Sequence, residues 1–289
     1  MAQKLPKILM LHGSAFLRIC TNHGNIANPM KNLLFISSAQ NASIFSKRVA
    51  AVRKVCQVHC EMVFVDAPII VQAPDPTGAY VNKYDSAAVA DPTPETDPAL
   101  IPRAWWRTKE IPDGENGIKK IYEGLDESLR FIRRVIDEQG PFVACFGFSQ
   151  GVVNISLLIK IIWFHSLYIL IDSDPFKAAI LVSGFKLRHP PVWDRSSEGV
   201  DTKLTTRSLH VIGKTDTVIG DDLSQSLVDA FAEPRVERHD GGHFVPSKKS
   251  WRDFFALYMQ SLNQPDKPDE SLIASPGPKL DVLDAGAKF

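Results

Sequence analysis

One pentapeptide constrains this chain more than any other. Gly147-Phe148-Ser149-Gln150-Gly151 is a G-x-S-x-G, set between an apolar run at 142–146 and a longer apolar stretch at 152–171. The pattern calls for a strand that reverses sharply into a helix, with the serine on a strained turn and glycines where side chains would crowd. The start of that helix also favours negative charge next to the serine. The flanking sequence agrees, because short β-rich runs alternate with helical patterns, as in a parallel sheet with crossover helices.

The spacing predicts strands at Lys7–Leu11, Glu61–Val65, 142–146, 177–182, 208–212 and 236–239. Helical spacing of apolar residues appears at 43–56, with Ile44, Phe45, Val49, Val52 and Val55. It appears again at 117–138, where Ile118, Ile121, Leu125, Leu129, Ile132 and Ile136 form one stripe. A closing amphipathic helix is expected at 247–262. Together these predict an α/β fold, with a mostly parallel central sheet and helices on both faces.

Three stretches fit no regular element. Eight of the 20 prolines lie between Pro68 and Pro112, so 68–112 is expected to be a long, lid-like irregular excursion. The segment 16–39 separates the first strand from the helix that should follow it, with Ser14-Ala15 before it and Ser38-Ala39 at its close. Excising it joins His12-Gly13-Ser14-Ala15 directly to the Gln40-Asn41 helix entry. It reads as an insertion, in the extreme a translated intron, which a transcript carrying these codons in a functional enzyme would refute. The domain is therefore expected over 1–262, followed by a polar, loosely ordered tail at 263–289.

Charge and composition exclude several classes. Lys plus Arg and Asp plus Glu number 33 each, a formal net charge of zero, which lacks the basic footprint of a nucleic-acid binder. The 44% hydrophobic content excludes a disordered chain. Four cysteines are too few for a disulfide scaffold, and the apolar run before His12 is too short for a signal peptide, so a cytoplasmic location is expected. The C-terminal Ala287-Lys288-Phe289 matches a peroxisomal tripeptide only in its first two positions. The stretch at 152–171 approaches membrane-span length, but Lys160 inside it costs about 3 kcal/mol to insert, so it reads as a buried helix.

A serine hydroxyl needs a base to take its proton and an acid to orient that base. In G-x-S-x-G hydrolases the chain order is serine, acid, histidine. Asp216 follows the strand at 208–212, and His243 lies in a glycine-opened loop after 236–239, so Ser149, Asp216 and His243 are the candidate triad. Rivals are Asp221 and Asp222 for the acid, and His239 and His210 for the base; both rival histidines fall within predicted strands. The oxyanion hole needs two backbone N–H groups. Gln150 supplies one, and the loop after the first strand the other, with Ser14 favoured over Ala15. Trp105 and Trp106 either line an acyl pocket or pack the proline-rich loop. Cys56, His59 and Cys60 have metal-like types, but they span a helix end and a strand start, so a buried structural role is expected rather than a metal site. This chemistry requires no cofactor.

A set of linked motifs carries a family resemblance. It comprises Leu11-His12-Gly13, Val63-Phe64-Val65-Asp66-Ala67-Pro68, Arg103-Ala104-Trp105-Trp106, Gly124-Leu125-Asp126-Glu127-Ser128-Leu129, the G-x-S-x-G, Ile180-Leu181-Val182-Ser183-Gly184-Phe185, His210-Val211-Ile212-Gly213-Lys214-Thr215-Asp216 and Gly241-Gly242-His243-Phe244-Val245-Pro246. Over about 7–262, without the insertion, the chain resembles the fungal FSH-type serine hydrolases, which include the lovastatin-pathway thioesterase. The resemblance implies an α/β-hydrolase fold and a Ser149–Asp216–His243 triad. It also implies esterase or thioesterase activity in polyketide or toxin biosynthesis, on a small-molecule acyl ester, thioester or carrier-bound acyl chain. Two other readings use the same residues: a non-catalytic binding protein of this fold, and an acyltransferase with the same triad.

Overall fold

The computed structural model describes residues 4–14, 40–71, 101–113, 117–169, 176–187, 203–263 and 273–276. The segment 16–39 read as an insertion, with Cys20, and Ala15, positions 72–100 of the proline-rich excursion and Ala287-Lys288-Phe289 lie outside the described residues.

The strands of the main sheet are β1 (Lys7–Leu11), β2 (Glu61–Val65), β7 (Phe142–Phe148), β8 (Ala178–Val182), β9 (Ser208–Gly213) and β10 (Pro234–His239). They are ordered β10-β9-β8-β7-β1-β2, and every neighbouring pair is parallel. The helices are α1 (Ala42–Arg48), α2 (Ala50–Cys56), α3 (Leu125–Gln139), α4 (Gln150–Ile169), α5 (Asp221–Val228) and α6 (Lys249–Ser261). The period of two in β1 shows why both faces are covered. Leu9 and Leu11 pack with Leu125, Ile132, Val152 and Val153 of α3 and α4. Ile8 and Met10 face the other way, onto Phe45, Val52, Trp251 and Phe255 of α1, α2 and α6. The inner strands β8 and β9 are buried throughout, as continuous apolar runs in parallel sheets are.

The expected 43–56 helix is interrupted at Val49, but Val49 N–H still bonds to Phe45 O and Arg53 N–H to Val49 O, so the hydrogen-bond ladder runs across the break. Its start is set by Asn41, whose side chain accepts from Ile44 N–H at 2.8 Å. The apolar stretch after the G-x-S-x-G is α4, whose described side chains at 151–160 are all buried, Lys160 among them. Among the described residues, no helix is long and apolar enough to cross a membrane.

Two expectations are corrected. The helix expected over 117–138 does not begin at 117: its first seven residues are β6 (Gly117–Glu123), which pairs antiparallel with β5 (Arg107–Asp113) in a separate two-stranded sheet. Lys109 and Lys120 meet Glu123 and Glu110 at 3.6 and 3.7 Å across this hairpin. Gly124, at φ 86, is the reason the helix starts later, since a side chain there would be strained and the backbone can turn from strand to helix in one residue. Ile121 is consequently exposed, whereas Tyr122 packs edge-on against Trp106. The excursion at 68–112 is likewise not wholly irregular, because β3 (Ile69–Ile70) and β4 (Arg103–Ala104) form a short pair of their own.

Residues 273–276 of the tail are seated on the core. Ile273 is buried against the α6 side of the core, and its carbonyl accepts from Arg235 at 2.7 Å. Arg235 also donates twice to Glu237, at 2.8 and 2.9 Å, and the Ser275 hydroxyl donates to the same carboxylate. The charged edge strand β10 thus offers both a polar anchor and an apolar seat, and residues 273–276 use both.

Buried histidines are found at the sheet. His12, at the end of β1, and His210, within β9, are both buried, and burial lowers each to a pKa of about 4 from 6.5. His210 packs edge-on against Phe231, with ring centroids 5.1 Å apart.

Two outcomes follow for stability. Replacing Ile273 by Ala is expected to cost about 2 kcal/mol, the low end for a buried aliphatic at the core's edge; an unchanged urea midpoint would refute this docking. Because His12 and His210 titrate lower folded than unfolded, the unfolded chain binds protons that the folded chain does not between pH 6.5 and about 4. Their contribution is fully present above pH 6.5 and is lost as pH falls through that window, by roughly 3 kcal/mol per histidine at the limit. Urea unfolding should show stability falling from pH 6.5 to 5, with about half that slope in a His210→Asn variant.

Candidate active site

The elbow lies at the carboxyl end of β7, in the middle of the sheet. Ser149 adopts φ 53, a left-handed conformation that costs a non-glycine residue about 1–2 kcal/mol. Its N–H is held by Val182 O on β8 at 3.0 Å, and its own carbonyl accepts from Val152 N–H in the first turn of α4. Gly151 makes the turn possible at this depth, since a Cβ there would sit 2.9 Å from His12 O and closer still to Leu11 O. The start of α4 therefore rests directly on the end of β1. Ser149 is fully buried, and its Oγ has no hydrogen-bond partner among the described residues. A buried hydroxyl left uncommitted at such a turn is available for chemistry.

Asp216 follows β9 in a tight turn, its N–H bonded to Gly213 O. Its Oδ1 accepts from the N–H groups of Val218 and Ile219, both at 2.9 Å, and its Oδ2 accepts from His243 Nδ1 at 2.8 Å. Burial pushes this carboxyl up, but the bonds from His243, Ile219 and Val218 together outweigh it and hold Asp216 below the usual carboxylate range. The carboxylate is thus an acceptor, so the His243 proton sits on Nδ1 and leaves Nε2 as the free, basic nitrogen.

The loop carrying His243 is laced to the loop carrying Asp216. Lys214 N–H bonds to His239 O at 2.8 Å and Thr215 N–H to Gly241 O at 3.1 Å. Gly213 permits the approach, because a Cβ on it would meet Gly242 O at 2.5 Å. The His243 ring lies 4.8 Å from that of Phe148, the residue before Ser149. The structure thus brings Asp216 and His243 into contact, beside the elbow.

The rivals are occupied elsewhere. Asp221 is exposed and paired with Arg238, and Asp222 shares with it the first turn of α5, where acidic side chains complement the helix start. His239 is buried between Phe244 and Trp251 and accepts from Gly241 N–H at 3.2 Å. Burial lowers its pKa, against the raising effect of the Asp216 and Asp240 charges. Cys56 and Cys60 are buried thiols, and burial pushes both up to about 12, so they stay protonated. Among the described residues, no group of three or more metal-ligating side chains is assembled.

The loop after β1 lies against the elbow. A Cβ on Gly13 would be 3.1 Å from Ser149 Cβ, and Ser14 is buried. His12 accepts from Ala67 N–H through Nε2 at 3.1 Å, which places its proton on Nδ1, where it donates to Gly13 O at 2.6 Å. Trp105 is wholly buried, and its polar groups are spent on this region. Its indole N–H donates to His12 O at 2.8 Å, its backbone N–H to Gln150 Oε1 at 3.1 Å, and its carbonyl accepts from the Ser128 hydroxyl at 2.5 Å. Trp106 is also buried, edge-on to Tyr122 and Phe185. No local pattern signals the Trp105 network, since its partner His12 is 93 residues away.

Residues 26–255 match the sequence profile of the serine hydrolase (FSH1) family. The chain is 30% identical over 240 residues to Esterase OVCA2 of Danio rerio, covering 81% of this chain and 98% of that one. It is 29% identical over 255 residues to Esterase CG5412 of Drosophila melanogaster, covering 86% and 79%. Among solved structures, Zea mays acyl-protein thioesterase 2 superposes with a TM-score of 0.52 at 13% identity, covering 90% of this chain and 95% of that one. Arabidopsis thaliana SOBER1 does so with a TM-score of 0.51 at 12% identity, covering 90% and 99%. With a G-x-S-x-G elbow on a parallel sheet of α/β-hydrolase fold and a profile match over most of its length, the chain belongs to the serine hydrolase (FSH1) family.

Proposed function

We propose that this protein is a serine esterase or thioesterase in which Ser149, His243 and Asp216 form the triad. The observation that carries the reading is the 2.8 Å bond from His243 Nδ1 to Asp216, held beside a serine in a left-handed turn. His243 Nε2 takes the Ser149 proton as Oγ attacks the acyl carbonyl. The tetrahedral oxyanion is met by the backbone N–H groups of Gln150 and Ser14. His243 then returns the proton to the departing alcohol or thiol, leaving an acyl-serine. Water repeats the sequence, releasing the acid and restoring the hydroxyl. Asp216, kept ionised by its three donors, stabilises the imidazolium formed in each half.

The substrate class we favour is a small-molecule acyl ester or thioester, including a carrier-bound acyl chain of polyketide or toxin biosynthesis. Its support is the linked motif set described above. The chain is read as a single domain over 1–262 interrupted at 16–39; the family match spans residues 26–255 and so begins within that segment. A cytoplasmic site of action is the matching location.

Fluorophosphonate labelling should modify the wild-type chain and not Ser149→Ala, and p-nitrophenyl ester hydrolysis should vanish with it. Asp216→Asn should lower kcat by on the order of 10⁴ through loss of the correct imidazole tautomer. Labelling seen only after deletion of 16–39 would mean that this segment disables the site. No labelling of either folded chain would reject the triad and leave the non-catalytic reading.

A further inference from the structure

We infer that Trp105 is a positioning residue that clamps the two halves of the oxyanion hole together. The inference rests on the triad reading above and adds to it the element that sets the hole's width. The hole draws one N–H from Gln150, at the head of α4, and one from the loop after β1. These segments are distant in sequence, and no covalent feature fixes their separation. Trp105 bonds to both, with its indole N–H to His12 O at 2.8 Å and its backbone N–H to Gln150 Oε1 at 3.1 Å.

Trp105 is itself held rigidly. The Ser128 hydroxyl donates to its carbonyl at 2.5 Å, its ring lies 5.2 Å from that of His12, and it has no exposed surface. On the far side of the loop, Ala67 N–H fixes His12 Nε2, and His12 Nδ1 donates to Gly13 O. The carbonyls of His12 and Gly13 are thus both engaged, which fixes the peptide planes leading to the Ser14 N–H. Backbone donors act on a developing oxyanion only when already aimed at it, and loss of one costs about 10²–10³ in rate. Trp105 has no exposed surface and its polar groups are spent on these elements, so its removal should appear in the chemical step and not in ground-state binding.

The test is Trp105→Phe, which keeps an aromatic ring in the core and removes the indole N–H. With p-nitrophenyl butyrate as substrate, kcat should fall on the order of 10²-fold while KM stays within about threefold. The inhibition constant of butylboronic acid, which forms a tetrahedral adduct on the serine, should rise in parallel with the loss of kcat. Should Trp105→Phe fail to fold, Gln150→Met removes the other arm of the clamp, keeps the Gln150 backbone N–H, and should show the same split. Unchanged kcat and boronate affinity in a folded variant would overturn the inference, as would a rise in KM alone, which would make Trp105 a substrate contact. Each of these presumes a wild type labelled at Ser149; a wild type that is folded but neither labelled nor active rejects the triad reading and the clamp with it.

Discussion

The left-handed turn at Ser149 is the constraint around which the rest of the molecule is arranged. A serine at φ 53 is unfavourable in isolation and persists only where its surroundings over-determine it. Here β7 lies between β1 and β8, β8 supplies the carbonyl that holds Ser149 N–H, and Gly151 lets α4 rest on the end of β1. Each of these depends on the sheet being buried on both faces, which the alternation of Ile8 and Met10 against Leu9 and Leu11 secures. The same close approach that permits the turn also sets the β1 loop beside the serine.

Burial sorts the histidines into different kinds of chemistry. His12 and His210 are kept neutral by desolvation, and His12 is bonded at both ring nitrogens, so it serves as a scaffold strut. His239 packs between two aromatic rings at the end of β10. Only four residues later, His243 is placed on a loop whose glycines let it reach Asp216. Asp216 shows the complementary balance, in which three hydrogen bonds overcome the cost of burying a carboxylate. The residue type is the same across the histidines, and the environment assigns the role.

Much of this was legible beforehand. The elbow, the strands of the main sheet and the order of Ser149, Asp216 and His243 follow from local pattern, because parallel-sheet strands are short apolar runs and functional side chains follow their carboxyl ends. The hairpin of β5 and β6 was not legible, since Ile118 and Ile121 keep helical spacing with Leu125 and only the pairing with Arg107–Asp113 decides against it. The seating of Ile273 was equally hidden, because a polar tail acquires its fixed point only once Arg235 and Glu237 are side by side on an edge strand.

What the sequence alone determined was the type of fold and the identity of the chemical groups, because periodicity, glycine placement and the strand–elbow–helix context are local properties. The tertiary structure decided which of these groups meet and which are diverted. It separated Asp216 from Asp221 and Asp222, and His243 from His239 and His210, by hydrogen bonding and burial that depend on elements far apart in the chain. It also bonded Trp105 to His12 and Gln150, partners up to 93 residues away. Such contacts have no signature in the sequence, because their energy comes from burying polar groups together, and burial exists only in the folded chain.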